Sequence, residues 1–219
     1  MSQFCSLSCL FSSSTTELSR NEDGFVPGFI VTRCDFESVP KALSLPESIG
    51  QLQELHSLDL FCNKLTTLPN TLGQLVWLSE LNLGNNVLTE LPEKFAKLQG
   101  LHHLDLRFNW LTTLPDNIGL LTWVRRVNVV VNCLTHLPQS IVHLEWLQCL
   151  YLEWNQLEEL PAGFGQLVRL RELHLRGNRI AALPDGFGDL LRLEVPETEG
   201  NYPKLTVPQV PPRLSRVTF

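Results

Sequence analysis

Histidine and cysteine are the residues of this chain that could carry catalysis or bind metal, and their spacing decides whether they can. His102 and His103 are adjacent, so on a strand they point to opposite faces and cannot chelate one ion together. Cys149 and His174 lie 25 residues apart and could meet as a nucleophile and its base. That dyad also needs a pocket and an oxyanion donor. No GxGxxG, GxxxxGK[ST], HExxH or GxSxG segment occurs, and the six cysteines (5, 9, 34, 62, 133, 149) form no CxxC pair. These observations predict no catalytic residue, no metal site and no cofactor. Unpaired thiols in a reducing compartment are the economical expectation for the cysteines.

The elements that would position any site are set by a repeat. Asn recurs every 23 residues at 63, 86, 109, 132, 155 and 178, and Pro recurs at the same interval from 46 to 184. One template, L-x-x-L-x-L-x-x-N-x-L-x-x-L-P-x-x-h-G-x-L, runs through six units starting at Leu55, Leu78, Leu101, Val124, Leu147 and Leu170. The second and third Leu are two apart, so both face one side of a short strand. A single unit cannot bury that side alone, whereas stacked neighbours can. The Asn follows the strand, where the chain turns and backbone groups need partners. The Pro suits a turning segment, and h-G-x-L a short 3₁₀ piece on the far side. His103 and His174 then fall three units apart, about 14 Å, too far to share a metal.

On these residues the chain resembles the leucine-rich repeat superfamily over about residues 43–208. Its LPxxIGxL units are similar to the 23-residue intracellular class of Ras-suppressor-type, Scribble-type and plant Ras-group-related repeat proteins. The resemblance implies an α/β solenoid, a curved horseshoe with a parallel concave sheet and short 3₁₀ or helical convex segments. It also implies a non-catalytic interaction module. Small GTPases, phosphatases or scaffold complexes are the partners it suggests, with signal transduction as the setting.

Four regions follow. Residues 1–24 are read as a disordered tail, 25–54 as an N-terminal cap and half repeat, 55–192 as six repeats, and 193–219 as a degenerate seventh repeat and C-terminal cap. In the cap, Val31, Cys34, Phe36 and Val39 approximate the template, with Cys34 and Phe36 inward. At the other end Leu193 and Asn201 keep the register, Pro196 and Thr198 replace the inward pair, and Tyr202, Pro203, Pro208, Pro211 and Pro212 give a proline-rich close.

The chain has 219 residues, 43% hydrophobic and 18% charged, enough for a packed core. Its net charge of −6 without basic blocks argues against nucleic acid. No apolar run reaches the roughly 18 residues of a membrane span. The broken apolar pattern around Phe4, Leu7, Leu10 and Phe11 does not read as a signal peptide, and the expected location is intracellular, in the cytoplasm.

Function should lie on variable surface positions. Counting from the first Leu of each unit, positions 2, 3, 5, 7 and 8 surround the strand. Their charges balance: Asp59, Glu80, Asp105, Glu153 and Glu172 oppose Arg107, Arg125, Arg126, Arg171 and Arg176. The apolar residues Phe61, Phe108, Trp110, Val130, Val131, Tyr151 and Trp154 gather near one edge. Phe61, Phe108, Trp110, Val130, Tyr151 and Trp154 of this patch, with Arg107, Glu153, His174 and Arg176 beside them, are the candidate partner-binding residues. The other reading of position 8 is that it packs inward against the turn. A second series, Trp77, Trp123 and Trp146, precedes its units and either covers the convex turn or forms another contact surface. The expected function is protein binding by a monomer through the concave face and its aromatic rim. The alternative is a structural subunit of a large assembly.

Overall fold

A computed structural model describes residues 43–194 and 199–201, and the backbone of two earlier strands, β1 (Thr15–Glu17) and β2 (Gly28–Thr32). Each repeat contributes one three-residue strand: β4 (Ser57–Asp59), β6 (Glu80–Asn82), β7 (His103–Asp105), β8 (Arg126–Asn128), β9 (Cys149–Tyr151) and β10 (Glu172–His174). These pair in parallel without a register slip, so Leu58, Leu81, Leu104, Val127, Leu150 and Leu173 form one row. Two short strands, β3 (Leu43–Ser44) and β5 (Leu65–Thr67), pair separately. The solenoid expected from the template is the observed architecture.

Burial follows the template column by column. In the third unit Leu101, Leu104, Leu106, Leu111, Leu114, Ile118 and Leu121 are all at most 1% exposed. Each fully buried side chain of this size contributes about 1.5–3 kcal/mol relative to exposure. No unit could gain that alone, because the covering atoms belong to its neighbours. Pro46, Pro69, Pro92 and Pro138 stand immediately before 3₁₀ segments, with φ of −72°, −73°, −66° and −63°. Those φ values are what the pyrrolidine ring dictates.

The Asn column is a hydrogen-bond ladder. Asn109 donates through Nδ2 to the Leu83, Leu106 and Arg107 carbonyls at 3.0, 3.0 and 3.3 Å, and its Oδ1 accepts from the Leu88 N–H at 3.0 Å. Asn86, Asn132, Asn155 and Asn178 repeat this bridging between units, and Asn63 donates to the Leu60 carbonyl. Asn201 adds a further rung, bonding the Leu175 carbonyl and the Ile180 N–H at 3.0 Å each. The register therefore continues past the sixth unit, although its strand sequence has lost the Leu pair.

The N-terminal end differs from the expectation. The cap strand that pairs with β4 is Gly28–Thr32, with Phe29 opposite Leu58, rather than a strand centred between Cys34 and Phe36. Within the segment read as tail, Thr15–Glu17 pairs antiparallel with β2. Cys5, Cys9, Cys34, Phe36 and Val39, and at the other end Pro196, Thr198 and the residues from Tyr202 onward, lie outside the described residues.

The cysteine expectation also needs correction. Cys133 and Cys149 are free thiols, but Cys62 is disulfide-bonded. The 23-residue period separated Cys62 from Cys133 and Cys149, but it could not place the cysteines preceding the solenoid. Thiol titration of denatured, unreduced protein should therefore count at most four groups among the six cysteines. A count of six would exclude the bond.

Candidate functional site

Position 5 builds the floor of the concave face. The Oδ1 atoms of Asp59, Asn82, Asp105 and Asn128 accept hydrogen bonds from the N–H groups of Phe61, Gly84, Arg107 and Val130, at 2.8–3.1 Å. These are Asx turns that end each strand. Two of the five acidic residues on this face, Asp59 and Asp105, are therefore engaged in backbone capping. Burial pushes the Asp105 carboxyl above its ordinary range, against the Arg107 N–H and guanidinium, which pull it down.

The column changes at Tyr151 and His174. The Tyr151 hydroxyl donates to Glu172, and burial, followed by that bond, pushes the phenol above its ordinary range. His174 meets the Tyr151 ring edge-on at 4.9 Å and places Nδ1 3.1 Å from the Glu153 carboxylate. The structure thus joins Tyr151, Glu153, Glu172 and His174 into one polar cluster. A shallow groove of about 380 Å³ adjoins it, lined by residues of both signs, including Asp59, Glu80, His103, Asp105, Arg107 and Arg126. Burial, the largest influence, lowers His103 below its ordinary value, and Glu80 works against it. His102 bonds instead to the Gly100 carbonyl. Among the described residues, no group of three or more His, Cys, Asp or Glu is placed to hold a metal.

Position 8 forms the rim. Phe108, Val131 and Trp154 are exposed, at 48%, 37% and 54%, whereas Cys62 in the same column is buried. Inward packing therefore does not describe the three bulky members. Trp110, just beyond the Asn, is 60% exposed. Arg107 lies over Phe61 at 5.4 Å and Arg176 over Trp154 at 5.7 Å, both in cation–π range. Val130 and Phe61 are half-buried beside them.

This column shares a backbone conformation that most of its residue types disfavour. Cys62, Asn85, Phe108, Val131 and Trp154 all have φ between +53° and +58°, and Gly177 and Gly200 follow at +69° and +73°. The left-handed region is costly for bulky side chains and worst for β-branched ones. Asn85, Gly177 and Gly200 were the available signal, since Asn and Gly are the residues that take this region at low cost. Three large apolar side chains thus stand exposed on strained backbone, a combination that collects at binding surfaces. Val131→Asn should accordingly stabilise the fold by about 1 kcal/mol, read as a higher urea midpoint. An unchanged or lower midpoint would mean that valine packing outweighs the strain.

Comparison with known proteins places this geometry. The family described as Leucine Rich Repeat matches residues 54–75, 100–121, 146–167 and 169–190. No curated protein matches. A leucine-rich repeat protein of Leptospira interrogans is 37% identical with a TM-score of 0.71, over 74% of this chain and 41% of that one. The ectodomain of the plant membrane receptor kinase GASSHO1/SCHENGEN3 from Arabidopsis thaliana, in complex with CASPARIAN STRIP INTEGRITY FACTOR 2, is 30% identical with a TM-score of 0.64, over 69% and 19%. The plant peptide hormone receptor RGFR1, in complex with RGF2, is 29% identical with a TM-score of 0.67, over 72% and 26%. The chain spans about two-fifths of the length of the Leptospira protein and about a fifth to a quarter of these two receptors.

Proposed function

The chain belongs to the leucine-rich repeat superfamily, and from that premise we propose that it is a non-catalytic protein-binding module. Its partner docks on the concave face and on the rim of Phe108, Trp110, Val131 and Trp154. The observation that carries this reading is the strained, exposed position 8 column. A side chain held at a conformational cost while facing solvent contributes little to folding, so its contribution is to binding. The Tyr151, His174, Glu153 cluster supplies polar selectivity next to that apolar rim. The complexes named for GASSHO1/SCHENGEN3 and RGFR1 support the reading, because each pairs a receptor of similar fold with a named factor. Signalling through a small GTPase or phosphatase, and a role as scaffold, are the finer proposals, drawn from the resemblance to the 23-residue intracellular class.

The compartment is proposed from the cysteines. Free Cys133 and Cys149 fit the cytoplasm, whereas a disulfide at Cys62 fits an oxidising setting. Cell fractionation under thiol-blocking conditions separates the two.

Photocrosslinking tests the binding face. A photoreactive residue at position 108 or 154 should give adducts with the partner, and one at the exposed convex Asp116 should not. Adducts from Asp116 alone would move the interface to the convex side. A permanent structural subunit is the second reading, favoured by exposed apolar side chains on both edges of the solenoid. It predicts that the isolated chain self-associates, whereas the binding module stays monomeric in sedimentation.

A further inference from the structure

Seven two-residue turns stack along the edge where the chain enters its strands, at 53–54, 76–77, 99–100, 122–123, 145–146, 168–169 and 191–192. Surface turn tips are ordinarily Gly, Asn, Asp, Ser or Pro. Here they carry Val76, Trp77, Trp123, Val168 and Leu191, exposed by 48%, 64%, 48%, 56% and 68%. Trp146 joins them, stacked on Trp123 with ring centroids 5.5 Å apart, and Arg169 covers its other face at 3.7 Å. At the Gly100 tip a Cβ would lie 2.5 Å from the Val76 carbonyl oxygen, so the position between Trp77 and Trp123 in the same column carries no side chain. Six successive spacings of about 4.8 Å make this row roughly 30 Å long.

Cations accompany the row. From Val76 to Arg171 the edge bears Lys97, Arg125, Arg169 and Arg171 against Glu145, in a chain whose net charge is −6. Further along, Asp189 and Glu194 stand against Arg192, and Glu54 lies at the opposite end, so the cations concentrate in the middle of the row. The apolar groups are protruding tips in a line rather than a cupped face. Such a line offers little shape complementarity to a folded protein, which needs a continuous packed patch. A bilayer interface accepts protruding side chains at any spacing. It favours indoles at headgroup depth, and it lets arginine stems lie along the apolar region while their heads reach phosphate. Among the described residues no helix is long and apolar enough to cross a membrane, so contact of this kind is peripheral.

We propose that this edge docks on an anionic phospholipid surface, with Trp77 and Trp123 in the headgroup layer and Arg125, Arg169 and Arg171 on the phosphates. The site is separate from the concave rim and does not depend on what the rim binds.

Vesicle sedimentation of the full chain tests it. The chain should pellet with vesicles of equimolar phosphatidylcholine and phosphatidylserine at low salt, and about tenfold less with phosphatidylcholine alone or at high salt. Two double variants avoid the Trp123–Trp146 stack. Trp77→Ser with Leu191→Ser removes apolar tips, and Arg125→Glu with Arg171→Glu reverses charge. Each should weaken partition by about tenfold, roughly 1.4 kcal/mol, with unchanged circular dichroism and melting. No pelleting at low salt, or equal pelleting by wild type and both folded variants, overturns the proposal. So does a wild-type dimer that ignores vesicles and dissociates on Trp77→Ser with Leu191→Ser, since that assigns the edge to a second copy.

Discussion

Replacing Asn109 with alanine will lower the unfolding free energy by about 1–3 kcal/mol, a large effect for a residue that carries no charge and touches no ligand. The side chain is 2% exposed. Its amide reaches three carbonyls, two in its own repeat and one in the preceding repeat, and its oxygen takes the Leu88 N–H. Alanine leaves those groups buried without a partner, and only part of the loss is recovered by relaxation or an entering water. Because Asn109 bridges units, the loss falls on inter-repeat coupling, the quantity that makes a solenoid cooperative. Asn109→Asp should cost more than alanine, since a carboxylate would face three carbonyl oxygens instead of donating to them. Urea unfolding of both variants beside Asp116→Ala, an exposed control expected within about 0.5 kcal/mol of wild type, checks the order. An alanine variant within a few tenths of a kcal/mol of wild type would show that solvent replaces the amide.

Legibility divides along a physical line. Features that depend on what a side chain prefers to be next to were readable: the Leu columns, the Asn rungs through Asn178, and the Pro that stands before four of the 3₁₀ segments. Features that depend on backbone conformation against side-chain preference were not. Position 8 is left-handed in every unit, yet Cys62, Phe108, Val131 and Trp154 are residues that would argue for the opposite, so Asn85 and Gly177 looked like variation rather than rule. Position 5 was read as charge, whereas Asp59 and Asp105 perform the same backbone capping as Asn82 and Asn128. Only the departures, Tyr151 and His174, leave their side chains for other partners. The cap strand escaped for a third reason. Spacing alone favoured Cys34 and Phe36, but the first repeat selects its partner by backbone pairing, which sets Phe29 in register with Leu58.

Truncating Phe108 and Trp154 together to alanine should abolish capture of the concave-face partner while moving the melting temperature by only a few degrees. Both residues are about half exposed, on backbone that neither would choose. Trp154 lies flat against the next repeat, and a Cβ on Gly177 would come within 2.6 Å of its ring. The indole is therefore preorganised, held by Gly177 beneath and Arg176 beside it, and loses little freedom when a partner covers it. Loss of one such anchor commonly costs about 2 kcal/mol or more, a factor of about 30 in affinity, and two should take a micromolar complex out of pull-down range. Were these residues core, truncation would cost about 3–5 kcal/mol each and the repeats around them would unfold. A melting curve taken beside the pull-down separates the cases. Early melting makes the rim structural. Normal melting with retained capture moves the interface off position 8, towards the Tyr151, Glu153 and His174 cluster, whose Tyr151→Phe variant would then be the next to measure.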